Sequence, residues 1–340
     1  MTGEYRPAGP LNWIIDHLPN HSDWDLIGAI SAEPRANEVV RLLFNRGKLH
    51  NSCFIDIEDQ ASEFQIATQD ARKLHRNELQ NLFGQSPNAV PMELFSEIDD
   101  LDDMFAKINS NIGDRVMLDI TSLPKRFFFY LVRKLRAAGT VKNLIVTYTV
   151  PRSYGKTLHK NPGGWMPLPG FGSEVSSSKQ PMLVIAVGYH HLKLLDLIRE
   201  RTPKPIRLLM PFPSMPPGFS QNWEFIRYIH EQVEFSSQDI RRVDPFSVSL
   251  AFEHLRAQCS AHVGELLLAP FGPKPISLAM ALYALAREDF GLPVSVGYTQ
   301  PRAYSDLYSQ GVQRGHDGKP IIHAYCVKLN GDLFYRWDTA

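Results

Sequence analysis

The sequence predicts an α/β protein: two tandem doubly wound, Rossmann-like domains arising by internal duplication, with a C-terminal β-hairpin. Three observations predict it. One strand–helix pattern recurs after about 150 residues. Unbroken apolar runs such as Leu183–Val187 and Leu144–Val150 suit parallel strands buried on both faces. The 340-residue length accommodates two domains.

The repeat is clearest in GDRVMLDITSLPKRFFFYLVRKLRAAGTVKNLIVTYTVPRSY, residues 113–154, and GELLLAPFGPKPISLAMALYALAREDFGLPVSVGYTQPRAY, residues 264–304. Each runs from an apolar strand through a turn ending in Pro-Lys (Pro124-Lys125, Pro273-Lys274) into an apolar helix. Each closes on a strand ending Tyr-Thr-X-Pro-Arg-X-Tyr. Upstream, first strands fall at Asp25–Ser31 and Met182–Gly188, each followed by helical spacing, Asn37–Phe44 and Leu192–Ile198. Second strands fall at Cys53–Ile57 and Ile206–Met210, and third strands near Val90 and Val243. Helices follow near Asp70–Phe83 and Asn222–Val233, then near Leu101–Ile108 and Phe246–Cys259.

The expected division is an N-terminal arm over 1–22 with a short helix near Leu11–Leu18, copy one over 23–154, a linker over 155–180, and copy two over 181–340. The linker reading rests on Gly, Pro and Ser in KNPGGWMPLPGFGSEVSSSK. Asn330-Gly331 between two apolar runs marks a hairpin, assigned to copy two.

Composition narrows the function. Lys plus Arg and Asp plus Glu number 36 each, so no basic excess favours long nucleic acid. Cys53, Cys259 and Cys326 are scattered, which gives neither a disulfide framework nor a zinc knuckle and fits a reducing, cytoplasmic setting. No transmembrane run and no signal peptide are read, no histidine pattern supports a metal, and no cofactor is implied. The GxxxxGK[ST], GxGxxG and GxSxG signatures are absent. Phe127–Val132 reads as a buried helix face, and Glu97–Asp103 as the polar start of a helix.

Ligands of open parallel sheets bind beyond the carboxyl ends of the strands. The candidate residues there are Ser31 and Arg35 after the first strand of copy one, His190 and His191 in copy two, and the Pro-Lys turns. Asp119-Ile120-Thr121-Ser122-Leu123-Pro124-Lys125 places hydroxyls and a cation at a helix start, where N–H groups favour an anion. Thr121 or Ser122 can cap that helix. Gly272 and Lys274 are the counterparts in copy two, without the acid. Arg152 with Tyr154, and Arg302 with Tyr304, offer a fork for phosphate and a ring for a base, one set per copy. Capping, Arg–carboxylate pairing and plain surface polarity account for the same residues without a ligand.

Asp119, Thr121 and Lys125 resemble the end of the fourth strand and the Gly-Thr-Lys turn of CARF (CRISPR-associated Rossmann fold) domains. Leu123-Pro124 departs from the Gly-Thr of that turn, and Gly272-Pro273-Lys274 is closer to it. Two fused copies look like the SAVED arrangement. The resemblance implies a second-messenger nucleotide or cyclic oligonucleotide bound between two Rossmann units, and an antiviral defence role with a separate effector. Two alternatives remain. One is metal-independent, ring-nuclease-like cleavage, with Lys125 stabilising charge, Thr121 or Ser122 orienting phosphate, and Asp119 as base or orienter. The other is a structural subunit with decayed pockets.

Overall fold

The computed structural model describes residues 6–17, 23–58, 61–155, 159–172, 180–191, 193–214 and 218–337. The chain forms two α/β units, Met1–Asn161 with Pro301–Phe334, and Pro162–Gln300 with Tyr335–Ala340.

The first unit begins with β1 (Ala8–Pro10) and α1 (Leu11–His17), then alternates strand and helix. β2 (Trp24–Ile30), α2 (Glu38–Asn45), β3 (Leu49–Ile57), α3 (Gln65–Phe83) and β4 (Ala89–Met92) come first. α4 (Ile98–Asn109), β5 (Arg115–Asp119), α5 (Lys125–Ala137), β6 (Asn143–Thr149) and β7 (Pro151–Tyr154) follow. Every residue of β2 and β6 is buried, as two-sided helix cover requires. Phe127–Val132 on α5 is buried throughout, and each such apolar side chain contributes roughly 1.5–3 kcal/mol. The acidic run opens α4, where the Glu97 N–H donates to Asp100 Oδ2 at 3.1 Å.

In the second unit β8 (His159–Pro167) precedes β9 (Met182–Ala186), α6 (Leu194–Arg201), β10 (Ile206–Pro211) and α7 (Gly218–His230). β11 (Ile240–Val243), α8 (Val248–Cys259), β12 (Leu266–Pro270), α9 (Lys274–Glu288) and β13 (Val294–Tyr304) follow. The sheet order is β11-β10-β9-β12-β13-β8, and its first five strands pair in parallel. α9 is buried from Pro275 to Arg287.

β14 (Ser309–Val312), β15 (Ile322–Leu329) and β16 (Asp332–Leu333) return to the first unit. Its sheet order is β1-β15-β6-β5-β2-β3-β4, with β16 beside β15. β4-β3-β2-β5-β6 run parallel, whereas β15 adds antiparallel to β6 and β1 antiparallel to β15. Numbered within each unit, both parallel sheets have the strand order 3-2-1-4-5.

Three expectations need correction. The hairpin forms, with Asn330 at φ 51° and Gly331 at φ 91°, but its long strand completes the first unit's sheet rather than belonging with copy two. β13 also crosses from the second unit into the first at Pro301. The 155–180 segment is not simply a linker, because β8 forms the sheet edge beside β13. Its Pro and Gly are compatible with an edge, where a missing ladder bond costs little. Residues 173–179 of that segment lie outside the described residues.

Candidate functional site

In the first unit, the carboxyl end of the sheet is an internally bonded polar cluster. Arg35 follows β2 and is 1% exposed. Its Nε and Nη2 meet Glu33 Oε2 at 2.8 and 2.7 Å, and its Nη1 donates to the Thr149 carbonyl at 2.6 Å. Ser309 Oγ accepts from Arg35 Nε at 3.2 Å and donates to Glu33 Oε2 at 2.7 Å. The guanidinium lies 5.2 Å from the centre of the Tyr148 ring. Burial opposes its charge, but Glu33 and the tyrosines outweigh that and raise its pKa. Arg35 is therefore an ionic tie between the β2–α2 loop, the end of β6 and β14. Ser31, half-buried, accepts the Glu33 N–H on Oγ at 3.1 Å, and its carbonyl accepts from His75 Nδ1 at 2.8 Å.

Asp119 ends β5 and is 3% exposed. Its Oδ1 accepts the Thr121 N–H at 3.1 Å, the Thr147 hydroxyl at 3.3 Å, and the Thr121 hydroxyl. Thr121 Oγ1 accepts the Thr149 N–H at 2.9 Å. Thr121 thus braces β5 against β6. The N-cap is Pro124, with no side-chain capping bond. Ser122 is half-buried. Lys125 is the first residue of α5 and is 8% exposed.

The structure brings together the two Pro-Arg-X-Tyr ends, which the sequence assigned to separate copies. Tyr154 and Tyr304 both flank Tyr308, with ring centres at 6.1 and 5.8 Å. The Tyr148 and Tyr154 hydroxyls are 3.0 Å apart. Burial, then the Tyr148 charge, pushes the Tyr154 phenol well above its usual value, and burial with Glu33 does the same to Tyr308. Arg152 and Arg302 are exposed. Tyr308 and Ser309 lie beyond the repeated segment, so no recurring pattern marked them.

The second unit's carboxyl end is aromatic and glycine-rich. A Cβ on Gly188 would collide with the Phe271 carbonyl, and one on Gly272 would lie 2.9 Å from the Val187 carbonyl. The loops after β9 and β12 therefore pack main chain on main chain, which only glycine permits. Asn222 Nδ2 donates to the Gly188 carbonyl at 2.9 Å, and Ser214 Oγ donates to Asn222 Oδ1 at 2.8 Å. His191 stacks on Tyr228 with ring centres 3.5 Å apart. Phe225, Phe271 and Tyr298 continue the aromatic wall. His190, His191 and Lys274 are all half-buried. Burial, then neighbouring His191, lowers the His190 pKa. Lys274 is the first residue of the 15-residue helix α9.

Among the described residues no group of three or more His, Cys, Asp or Glu is arranged to hold a metal. No helix among them is long and apolar enough to cross a membrane. No family model matches the sequence, and no curated protein matches it. One solved structure it resembles is the rRNA methyltransferase AviRa from Streptomyces viridochromogenes, at 13% identity and a TM-score of 0.22. That match covers 46% of this chain and 76% of the methyltransferase. A likeness this distant bears on neither activity nor substrate.

Proposed function

We propose that the protein is a nucleotide-binding sensor or adaptor subunit that works with a separate effector in antiviral defence. One observation carries the reading. Both units start the helix after the fourth strand with Pro-Lys, at the carboxyl end of a 3-2-1-4-5 parallel sheet. The N–H groups of the first turn and the lysine ammonium favour an anion there. The CARF resemblance supplies the ligand class, a small or cyclic oligonucleotide, and the effector.

The second unit is the better equipped. Lys274 is half-buried at the start of α9, and His191 with Tyr228 offers a surface on which a base can stack. The corresponding loops of the first unit carry polar pairs instead, Asp119 with Thr121 and Arg35 with Glu33. Calorimetric titration with mononucleotides and with linear and cyclic oligoadenylates tests the reading. Lys274→Ala is expected to weaken binding about tenfold or more, the value of a charge-assisted contact. A folded protein that binds none of them overturns it.

A further inference from the structure

The exposed arginines of the two Pro-Arg-X-Tyr ends lie on one unit, although the chain separates them by about 150 residues. Tyr154 and Tyr304 both sit against the same residue, Tyr308, at 6.1 and 5.8 Å, so their ring centres are no more than about 12 Å apart. Along a strand, residues two apart share a face. Arg152 therefore rises on the Tyr154 side of β7, and Arg302 on the Tyr304 side at the end of β13. β14 pairs with β7, matching Ser309 to Tyr154 and Val312 to Pro151. Between those pairs Gly311, at φ 62°, lies beside the Arg152 side chain, whose Nε would be in ordinary contact, 3.7 Å, with a Cβ there.

This platform is anchored from beneath. The Glu33–Arg35–Ser309 bonds tie the start of β14 to the ends of β2 and β6. The tyrosines stay protonated and neutral, because burial raises their pKa. The tyrosines thus add hydroxyls rather than negative charge there, and the Glu33 carboxylate is paired with Arg35. The Thr149 hydroxyl, 0% exposed at the base of the platform, has no hydrogen-bond partner.

We propose that Arg152 and Arg302 form one two-armed clamp on the first unit that grips consecutive phosphate groups of a single ligand. The inference rests on the nucleotide reading for the identity of that ligand, but the clamp itself recognises the phosphates. Guanidinium forks bind phosphate oxygens in pairs, which suits two arginines closing on one chain of phosphates.

The test is calorimetric titration of the whole protein with inorganic tripolyphosphate. One binding event that depends on both arginines is expected. Arg152→Ala and Arg302→Ala are each expected to weaken that one event about tenfold. Both side chains are exposed, so the variants should unfold at the wild-type temperature. Arg199→Ala, in the second unit, removes the same charge and is expected to change nothing. No binding overturns the clamp, as does an effect of only one arginine, an equal effect of Arg199→Ala, or two events of which each variant removes one. Lys274-dependent nucleotide binding without any arginine-dependent tripolyphosphate event overturns the clamp and leaves the nucleotide reading intact. Tripolyphosphate held by both arginines, with no nucleotide bound, sustains the clamp and removes the nucleotide reading.

Discussion

Arg35 carries its charge where almost no water reaches it, and that is tolerable because Glu33, the Thr149 carbonyl and Ser309 surround it. Removing one partner of a buried ion pair leaves the other uncompensated, at about 3–5 kcal/mol. Arg35→Ala is accordingly expected to lower stability by about 3 kcal/mol or more, read as a shift in the urea midpoint of the first unit. A loss under about 1 kcal/mol would mean that the cluster is a surface pair of little consequence. His190 behaves oppositely to a paired histidine. Burial and His191 lower its pKa below the ordinary 6.5, so folding favours the neutral ring. That contribution is complete above the unfolded value and is lost as pH falls through the lower folded one. Stability of the second unit should therefore decline on acidification below about pH 6.5, and His190→Asn should flatten part of that slope. Denaturant midpoints measured across that range check both. A slope of the opposite sign would contradict the burial argument.

At the scale of elements, the parallel strands and their helices were legible because each is coded locally. β9 and β12 are continuous apolar runs, and α5 announces itself through Phe127–Val132. The turn at Asn330-Gly331 was equally plain, since both residues take positive φ. Gly331→Val should cost about 1 kcal/mol or more through backbone strain alone, measurable by thermal unfolding. What the turn could not reveal was where its strand goes. β15 pairs with β6, a contact between residues far apart in the chain, and local composition carries no record of such a partner. β8 was hidden for a different reason. An edge strand tolerates the Pro and Gly that otherwise mark a loop. Among the site residues, Arg152 and Arg302 were visible through recurrence. The meeting of their neighbours Tyr154 and Tyr304 was not, because it passes through Tyr308, which has no repeated counterpart.

For the whole molecule, the tail after Gln300 decides how the chain divides. Removing residues 301–340 strips β14, β15 and β16 from the first unit and bares the β6 edge. Hydrogen exchange should then show loss of protection in β6 and β5, with cooperative unfolding of the first unit abolished. A division at residue 155 would instead leave that unit intact. The two units share a strand order but differ at their carboxyl ends. The first is closed by an ionic and tyrosine cluster, whereas the second is glycine-rich and aromatic, with a half-buried lysine at a helix start. This asymmetry underlies the proposal of a nucleotide site on the second unit; the arginine clamp is proposed for the first unit by itself. The most direct measurement is calorimetric titration of wild-type and Lys274→Ala protein with cyclic and linear oligoadenylates and mononucleotides. Saturable binding of at least one of them is expected, weakened about tenfold or more by the substitution. Absence of binding by the folded wild-type protein, or binding indifferent to Lys274, would contradict it.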